Sequence, residues 1–538
     1  VVTLSIYGSH HAALAAVREG RYVIVELEKF LNKKNSGLTN FLPVPEPDTT
    51  AVAIYKYLGE LLDFDGPPDA CTYGDLGPSA PFLIGQKIAA KCNAYVSHHL
   101  AHAANSFVQS PYEQSLIVTC DSGGDDGTLI VQLAMRTAGF KIIKKIPINL
   151  GYTYSMIGSF IKCVKRAESL KEANLNYAPK VMELSAYGSP RSNWLTTFEK
   201  LFRGFPLSDP PPPHYLPMAP YHKEDLKKVT AELSTILDLP LHEGIDGIAA
   251  YDLAATAQRA FENIFIEAIT PAINQYPGYP ICMGGGCAQN VYLNSRVREH
   301  FKREVFVPAN SNNSGIALGM VALVTKPQSE TDFSYVSFPL LGSERLKTEK
   351  DNRPNTEATP RKVAQLLGEG KVVGVAREGG DHGSYSLGNR TIFCDPATPN
   401  IATFLREAVK ATETFIPFGA MVRADNADLY FSKGCTTKYP NFAVKVNEAY
   451  LDKFSSITHI DGTARVQAVT KEQNPWLYDL LGWFESYSGH GVLLSTSLNH
   501  PNSVVVSSVS DAFEFFDNTL LEALVVEDAL FMRVSGYA

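Results

Sequence analysis

The chain has 538 residues, and its 48 Lys and Arg against 56 Asp and Glu give a net charge of −8. With 45% hydrophobic and 19% charged residues it has the balance of a soluble globular enzyme, which excludes a disordered chain, a collagen and a coiled coil. At about 150 residues per domain the length suggests two or three domains, and mild acidity without a basic block argues against a nucleic-acid scaffold.

No apolar run reaches the roughly 18 residues of a membrane span; Gly315 to Val324 is among the longest. Val1 to Tyr7 reads as a strand without the basic flank of a leader. Three short strands are expected at Val2–Tyr7, Ala12–Val17 and Tyr22–Leu27, with turns at Gly8 and Gly20. Ser115–Cys120 and Leu129–Ala134 form a further pair, joined by Asp121-Ser-Gly-Gly-Asp-Asp-Gly127. The stretch 190–245, with the Pro210–Pro213 run, has weak periodicity and reads as an irregular insertion. Leu253, Ala257, Ala260, Phe261, Ile264, Phe265, Ala268 and Ile269 keep helical spacing up to Pro271. Tyr279–Met283 is a strand leading into three glycines and a helix to about Phe301. Residues 327–360 read as a linker, which gives domains at 1–326 and 361–538.

The eight cysteines contain no C-x-x-C pair, so neither a zinc ribbon nor a disulfide framework is expected. Cys120 and Cys282 sit in apolar runs and are expected buried; a reducing, cytoplasmic setting fits.

Four strings can carry chemistry. In Val96-Ser-His-His-Leu-Ala-His-Ala-Ala104 a helix would put His98 and His102 on one face, within reach of one metal ion, with His99 pointing elsewhere. Two solvated histidines at a polar helix end are the alternative. Asp121 closes a strand and opens a loop with Gly123 and Gly124, which suits a divalent ion and phosphate oxygens, or is simply an acidic turn. Met283-Gly-Gly-Gly-Cys-Ala-Gln-Asn290 feeds Gly284, Gly285 and Gly286 into a helix N-terminus, where a nucleotide phosphate can approach. It has neither G-x-G-x-x-G nor a P-loop, so a turn that binds nothing stays open. Asn310-Ser-Asn-Asn-Ser-Gly-Ile-Ala-Leu-Gly319 again turns into an apolar helix. Strand hairpins with two glycine-led helices follow the plan of the actin/sugar-kinase ATPases, an analogy of pattern.

These residues resemble one family, the carbamoyltransferases that include nodulation protein NodU, the cephem enzyme CmcH and the aminoglycoside enzyme TobZ. The likeness runs through Gly8-Ser-His10, His98 and His102, Asp121, Lys180-Val-Met-Glu-Leu-Ser-Ala-Tyr-Gly188, Gly284–Asn290 and Leu387-Gly-Asn-Arg390. It continues in Asp461-Gly-Thr-Ala-Arg-Val-Gln467 and Leu494-Ser-Thr-Ser-Leu-Asn499. The resemblance implies an α/β protein: an actin/sugar-kinase-like (TsaD-type) first domain followed by a YrdC-like second. It implies ATP with Mg, and Fe(II) or another divalent metal held by His98, His102, Asp121 and Asn313. It implies His10 as general base, and a nucleotide at Gly123, Gly124, Gly284, Gly285, Gly286 and Asn290. Lys410, Arg465, Ser497 and Asn499 would bind carbamoyl phosphate or ATP. The implied reaction joins carbamoyl phosphate and ATP into carbamoyladenylate, then transfers the carbamoyl group to a hydroxyl of a natural product, sugar or modified nucleoside. No membrane partner is implied, and a homodimer is the default assembly.

The chain departs from the family where arginines are expected. Tyr385, Thr412 and Ile416 replace three, Ser495 replaces an asparagine, and Asn313 stands for a ligating aspartate. Arginine grips phosphate bidentately, which Tyr, Thr and Ile cannot do. Two alternatives therefore accompany the carbamoyltransferase reading. One is a divergent adenylate-forming acyl or amide transferase with another donor; the other is a catalytically impaired paralogue serving as a binding subunit.

Overall fold

In the computed structural model, residues 1–38, 44–76, 80–165, 170–204, 223–326, 353–410, 413–434, 437–500 and 503–533 are described. The chain is a mixed α/β protein with three sheets. The expected N-terminal strands form: β1 (Val2–Tyr7), β2 (Ala13–Arg18) and β3 (Arg21–Glu26) make an antiparallel meander. β4 (Ala70–Gly74) joins β1 in parallel and β5 (Cys92–Tyr95) joins β4, giving the order β3-β2-β1-β4-β5. Both faces of this sheet are covered, which explains why its strands read as continuous apolar runs. Leu4 and Ile6 share a core with Ile54 and Leu58 of the Pro47–Leu62 helix. Ser5, on the opposite face by strand alternation, donates to Ala317 O at 2.6 Å in the Ile316–Thr325 helix. One disulfide, Cys71–Cys92, ties β4 to β5, a pairing the cysteine spacing did not announce.

The second sheet has β6 (Gln114–Cys120) at its centre. β7 (Leu129–Met135) and β8 (Gly139–Ile146) continue it antiparallel, while β9 (Ile281–Gly284) and β10 (Val305–Phe306) lie parallel on the other side. The His98–Val108 helix packs Ala103 and Phe107 onto Ile117 and Cys282. Cys120 and Cys282 are buried, as expected.

The third sheet, of nine strands, comprises β11 (Asn355–Glu357), β12 (Val373–Ala376), β13 (Arg390–Cys394), β14 (Gly419–Arg423) and β15 (Ala443–Lys445). It is completed by β16 (Thr463–Val469), β17 (Val492–Ser497), β18 (Ala523–Val526) and β19 (Ala529–Met532). Their order is β11-β19-β18-β12-β13-β17-β14-β16-β15. Helices Pro360–Gly368 and Pro475–Ser488 bury Val363, Leu367, Leu477, Leu480 and Phe484 with Val375, Phe393 and Leu493 of the sheet.

Two compact units result. One holds Val1–Val96, Asn313–Thr325 and the described residues from 353 onward; the other holds Ser97–Asn312. The expected linker lies, over 327–352, outside the described residues.

Two expectations need correction. The stretch 190–245 is not wholly irregular: Ser192–Phe202 and Lys223–Leu237 are helices, and Trp194, Phe198, Leu201 and Phe202 are buried at helical spacing. Residues 205–222, with the proline run, lie outside the described residues. The long helix, Gly247–Ile273, also runs on through Pro271. A proline two residues from the end removes one N–H from the last turn, which the following backbone groups tolerate.

Candidate functional site

The helix His98–Val108 brings two imidazoles together. His98 and His102 lie one turn apart, and their Nε2 atoms are 3.2 Å from each other. Asp121, directly after β6, turns its Oδ2 toward both, 3.3 Å from His102 Nε2 and 3.8 Å from His98 Nε2. All three residues are buried, and one donor atom from each lies within 4.8 Å of the others. The alternative of solvated histidines is therefore excluded.

The carboxylate is held by backbone. Ser122 N–H donates to Oδ1 at 2.7 Å and Gly286 N–H to Oδ2 at 2.8 Å. Burial pushes the Asp121 pKa up, yet the hydrogen bonds and charges of His102 and His98 more than offset it and hold the group well below the usual carboxylate range. Two imidazoles and a carboxylate form a donor set suited to Fe(II), Zn or a related divalent ion. The residues fit the metal that the sequence implies.

Around them the glycines are geometrically required. At Gly285, with φ +87°, an added Cβ would stand 2.2 Å from Cys120 O; at Gly284 it would stand 2.4 Å from Ser106 Oγ. The β9–helix turn thus lies close against β6 and the His102 turn, as close backbone approach demands. Gly286 opens the 3-10 turn Gly286–Gln289, and the following helix, Val291–Phe301, ends where the sequence placed it. Asn290 has a structural employment: its Oδ1 caps that helix by accepting from Leu293 N–H at 2.9 Å, and its Nδ2 donates to Gln258 Oε1 at 2.9 Å. In the other loop Gly123 is open on its Cβ side, whereas Gly124 is hemmed in by His99 and Gly127. Asp125 and Asp126 accept the His98 and His99 N–H groups, so they cap the helix rather than add to the triad.

His10 belongs to the first unit. Its Nε2 lies 3.0 Å from Asn313 Nδ2, which also donates to Tyr7 Oη at 2.7 Å. An amide nitrogen can only donate, so His10 Nε2 accepts and its proton sits on Nδ1, 2.9 Å from His11 Nδ1. Nε2 is the basic atom.

The remaining candidates lie on the nine-stranded sheet. Lys410 is buried and donates to Ser497 O at 2.6 Å, to Asn499 O at 2.8 Å and to Asn499 Oδ1. Burial, and then the charge of Lys34, push its pKa down to about 7. Ser497 Oγ donates to Asn499 Oδ1 at 2.8 Å, so these three residues form one cluster. Arg465 lies on β16, its guanidinium 5.8 Å from the centre of the Tyr385 ring and desolvated to a pKa of about 10. Desolvation pushes the Tyr385 hydroxyl up to about 12. Arg390, of the Leu387–Arg390 string, donates to the carbonyls of Arg377, Glu378 and Asn389 and is structural. Ile416 O accepts from Arg406 at 3.1 Å; Thr412 lies outside the described residues.

Two further contacts were not legible in the sequence. Glu26 and Lys29 form a buried ion pair that grips the Asp381–Gly383 loop, Lys29 Nζ donating to Asp381 O at 2.5 Å and Gly383 N–H to Glu26 Oε1 at 2.7 Å. His99, buried completely, bonds Thr119 and Gly127.

The chain is similar to known proteins over most of its length. The carbamoyltransferase N-terminal family pattern matches residues 54–322, and the carbamoyltransferase C-terminal pattern matches 364–533. The chain is 26% identical over 450 residues to nodulation protein NolO of Bradyrhizobium diazoefficiens, covering 80% of this chain and 78% of that one. It is 28% identical over 308 residues to the 3'-hydroxymethylcephem-O-carbamoyltransferase of Streptomyces clavuligerus, covering 56% and 57%. Among solved structures, full-length HypF in its phosphate- and nucleotide-bound form matches with a TM-score of 0.35 and 14% identity over 61% of this chain and 46% of that one. The two family patterns are those of a group-transfer enzyme. The chain belongs to the carbamoyltransferase family and moves a carbamoyl group from a donor to an acceptor.

Proposed function

We propose that the protein is an ATP-dependent O-carbamoyltransferase. In this reading an actin/sugar-kinase-like domain at 1–326 performs the transfer; in a YrdC-like domain at 361–538 water releases phosphate from carbamoyl phosphate, and the resulting carbamate attacks the α-phosphorus of ATP to give carbamoyladenylate and pyrophosphate. Adenylate is the better leaving group, and a site that excludes water protects the labile intermediate. The acceptor is a hydroxyl of a small molecule such as a natural product, a sugar or a modified nucleoside.

The observation that carries the reading is the convergence of His98, His102 and Asp121. These residues would hold the divalent ion, which when bound supplies Lewis-acid stabilisation of developing negative charge. Asp121 is kept ionised by His102 and His98 and aligned by the two backbone N–H groups, and the imidazoles are fixed one helical turn apart. His10 takes the acceptor proton on Nε2 when the acceptor hydroxyl displaces the Asn313 amide there, while its Nδ1 proton stays directed at His11. Gly123, open on its Cβ side, offers backbone to phosphate oxygens, whereas the Gly285 and Gly286 N–H groups are already given to Ser311 O and Asp121 Oδ2.

A second reading has its own observation. Tyr385 lies against Arg465 where the family pattern has an arginine, which suits a donor with a less anionic end.

Titration of metal-free protein with Co(II), followed by visible absorption, tests the metal site. One ion per chain is expected, and His102→Ala should weaken it by more than the roughly 10–100-fold that second-sphere changes cost. Unchanged binding in that variant would remove the triad from the account.

A further inference from the structure

Thr119 lies in β6 two residues before Asp121, and Gly127 ends the loop that follows. His99 joins the two. Its Nδ1 is 2.8 Å from Thr119 Oγ1 and its Nε2 is 2.9 Å from Gly127 O. A carbonyl oxygen can only accept, so Nε2 carries the proton, Nδ1 accepts, and the threonine hydroxyl donates to the ring. Both ring nitrogens are therefore engaged, and the direction of each bond is settled. The ring also fills the place where a side chain on Gly124 would go: a Cβ there would lie 2.8 Å from His99 Cδ2 and 3.0 Å from Nε2. The backbone of the same residue contributes twice more, His99 N–H donating to Asp126 Oδ1 at 3.2 Å and His99 O accepting from Gln132 Nε2 at 3.3 Å.

We propose that His99 is a positioning residue: a two-ended clasp that presets the 121–127 loop in the conformation that receives a phosphate group of the nucleotide. The ligand class rests on the nucleotide reading under Proposed function; the clasp itself does not. Because His98 and His102 are held by the helix, the clasp acts on the loop and leaves the two imidazole donors in place. Asp121, anchored also by Gly286, stays within reach of them.

Hydrogen exchange of peptides spanning 121–128, read by mass spectrometry in the full-length protein, tests the clasp directly. His99→Phe keeps the ring volume and removes both bonds; Thr119→Val removes one bond and little volume; His99→Gln restores a donor toward Gly127 O. Exchange is expected to quicken about tenfold in His99→Phe, equivalent to about 1.4 kcal/mol of lost local stability. It should quicken less in Thr119→Val and recover in His99→Gln, and Co(II) binding should persist in all three. Should His99→Phe fail to fold, Thr119→Val decides alone. Wild-type exchange in the folded variants would overturn the proposal.

Binding of a fluorescent ATP analogue to the same proteins is the second readout. A roughly tenfold weaker Kd in His99→Phe, rescued by His99→Gln, is expected. Wild-type affinity in a variant with a loosened loop would overturn the phosphate-presetting role. A wild-type protein that binds no nucleotide, with the exchange result intact, would instead remove the nucleotide reading and leave the clasp as a device of the loop alone.

Discussion

At the scale of single residues, burial decides what each polar group can do. Lys410 is 4% exposed, and its acceptors among the described residues, two carbonyls and an amide oxygen, are neutral. Its pKa of about 7 in the folded protein lies below the roughly 10.4 of an unfolded lysine. Between those values the unfolded chain holds a proton that the folded chain has released. Stability should therefore rise with pH across that window, by at most about 1.4 kcal/mol per pH unit for one site. Lys410→Met removes the titration, so urea unfolding at several pH values should show a steeper rise for the wild type than for the variant. Equal slopes would place the Lys410 charge in a better-solvated setting. None of this was legible in the sequence, where Lys410 is one cation among 48 Lys and Arg. His98, His102 and Asp121 were legible, because helical spacing and a strand end are local properties. His99 was not: its partners lie 20 and 28 residues further along the chain.

At the scale of elements, glycine turns and caps fix where strands give way to helices. Asn290 caps the Val291–Phe301 helix and also exchanges amide hydrogen bonds with Gln258. Asn290→Ala should lose the cap, about 0.5–2 kcal/mol, and strand part of the Gln258 amide, about 1–3 kcal/mol. A loss of about 2 kcal/mol in denaturant unfolding is the expected sum after relaxation. A loss under 0.5 kcal/mol would mean that another group takes over the cap. The sequence announced this turn through three consecutive glycines, and it announced the N-terminal meander through apolar runs broken at Gly8 and Gly20. It hid the Ser192–Phe202 helix, because the polar and proline-rich residues that follow drown the stripe of Trp194, Phe198, Leu201 and Phe202. It also hid the Cys71–Cys92 bridge, since β4 and β5 meet only after an intervening helix, Ala80–Lys87.

At the scale of the whole molecule, two family patterns together span 54–322 and 364–533, so both halves of the chain carry the carbamoyltransferase signature. No helix among the described residues is long and apolar enough to cross a membrane. Of the five changes relative to the family, Tyr385, Thr412, Ile416 and Ser495 fall in the second half and Asn313 in the first, which retains His10, His98, His102 and Asp121. Donor activation is therefore the step that most of these changes touch. The decisive measurement is pyrophosphate release from ATP by the metal-loaded protein, with and without carbamoyl phosphate. Release that requires carbamoyl phosphate is the predicted result. Tight ATP binding without release would contradict it, and would mean that Tyr385 and Ile416 have closed the pocket to this donor.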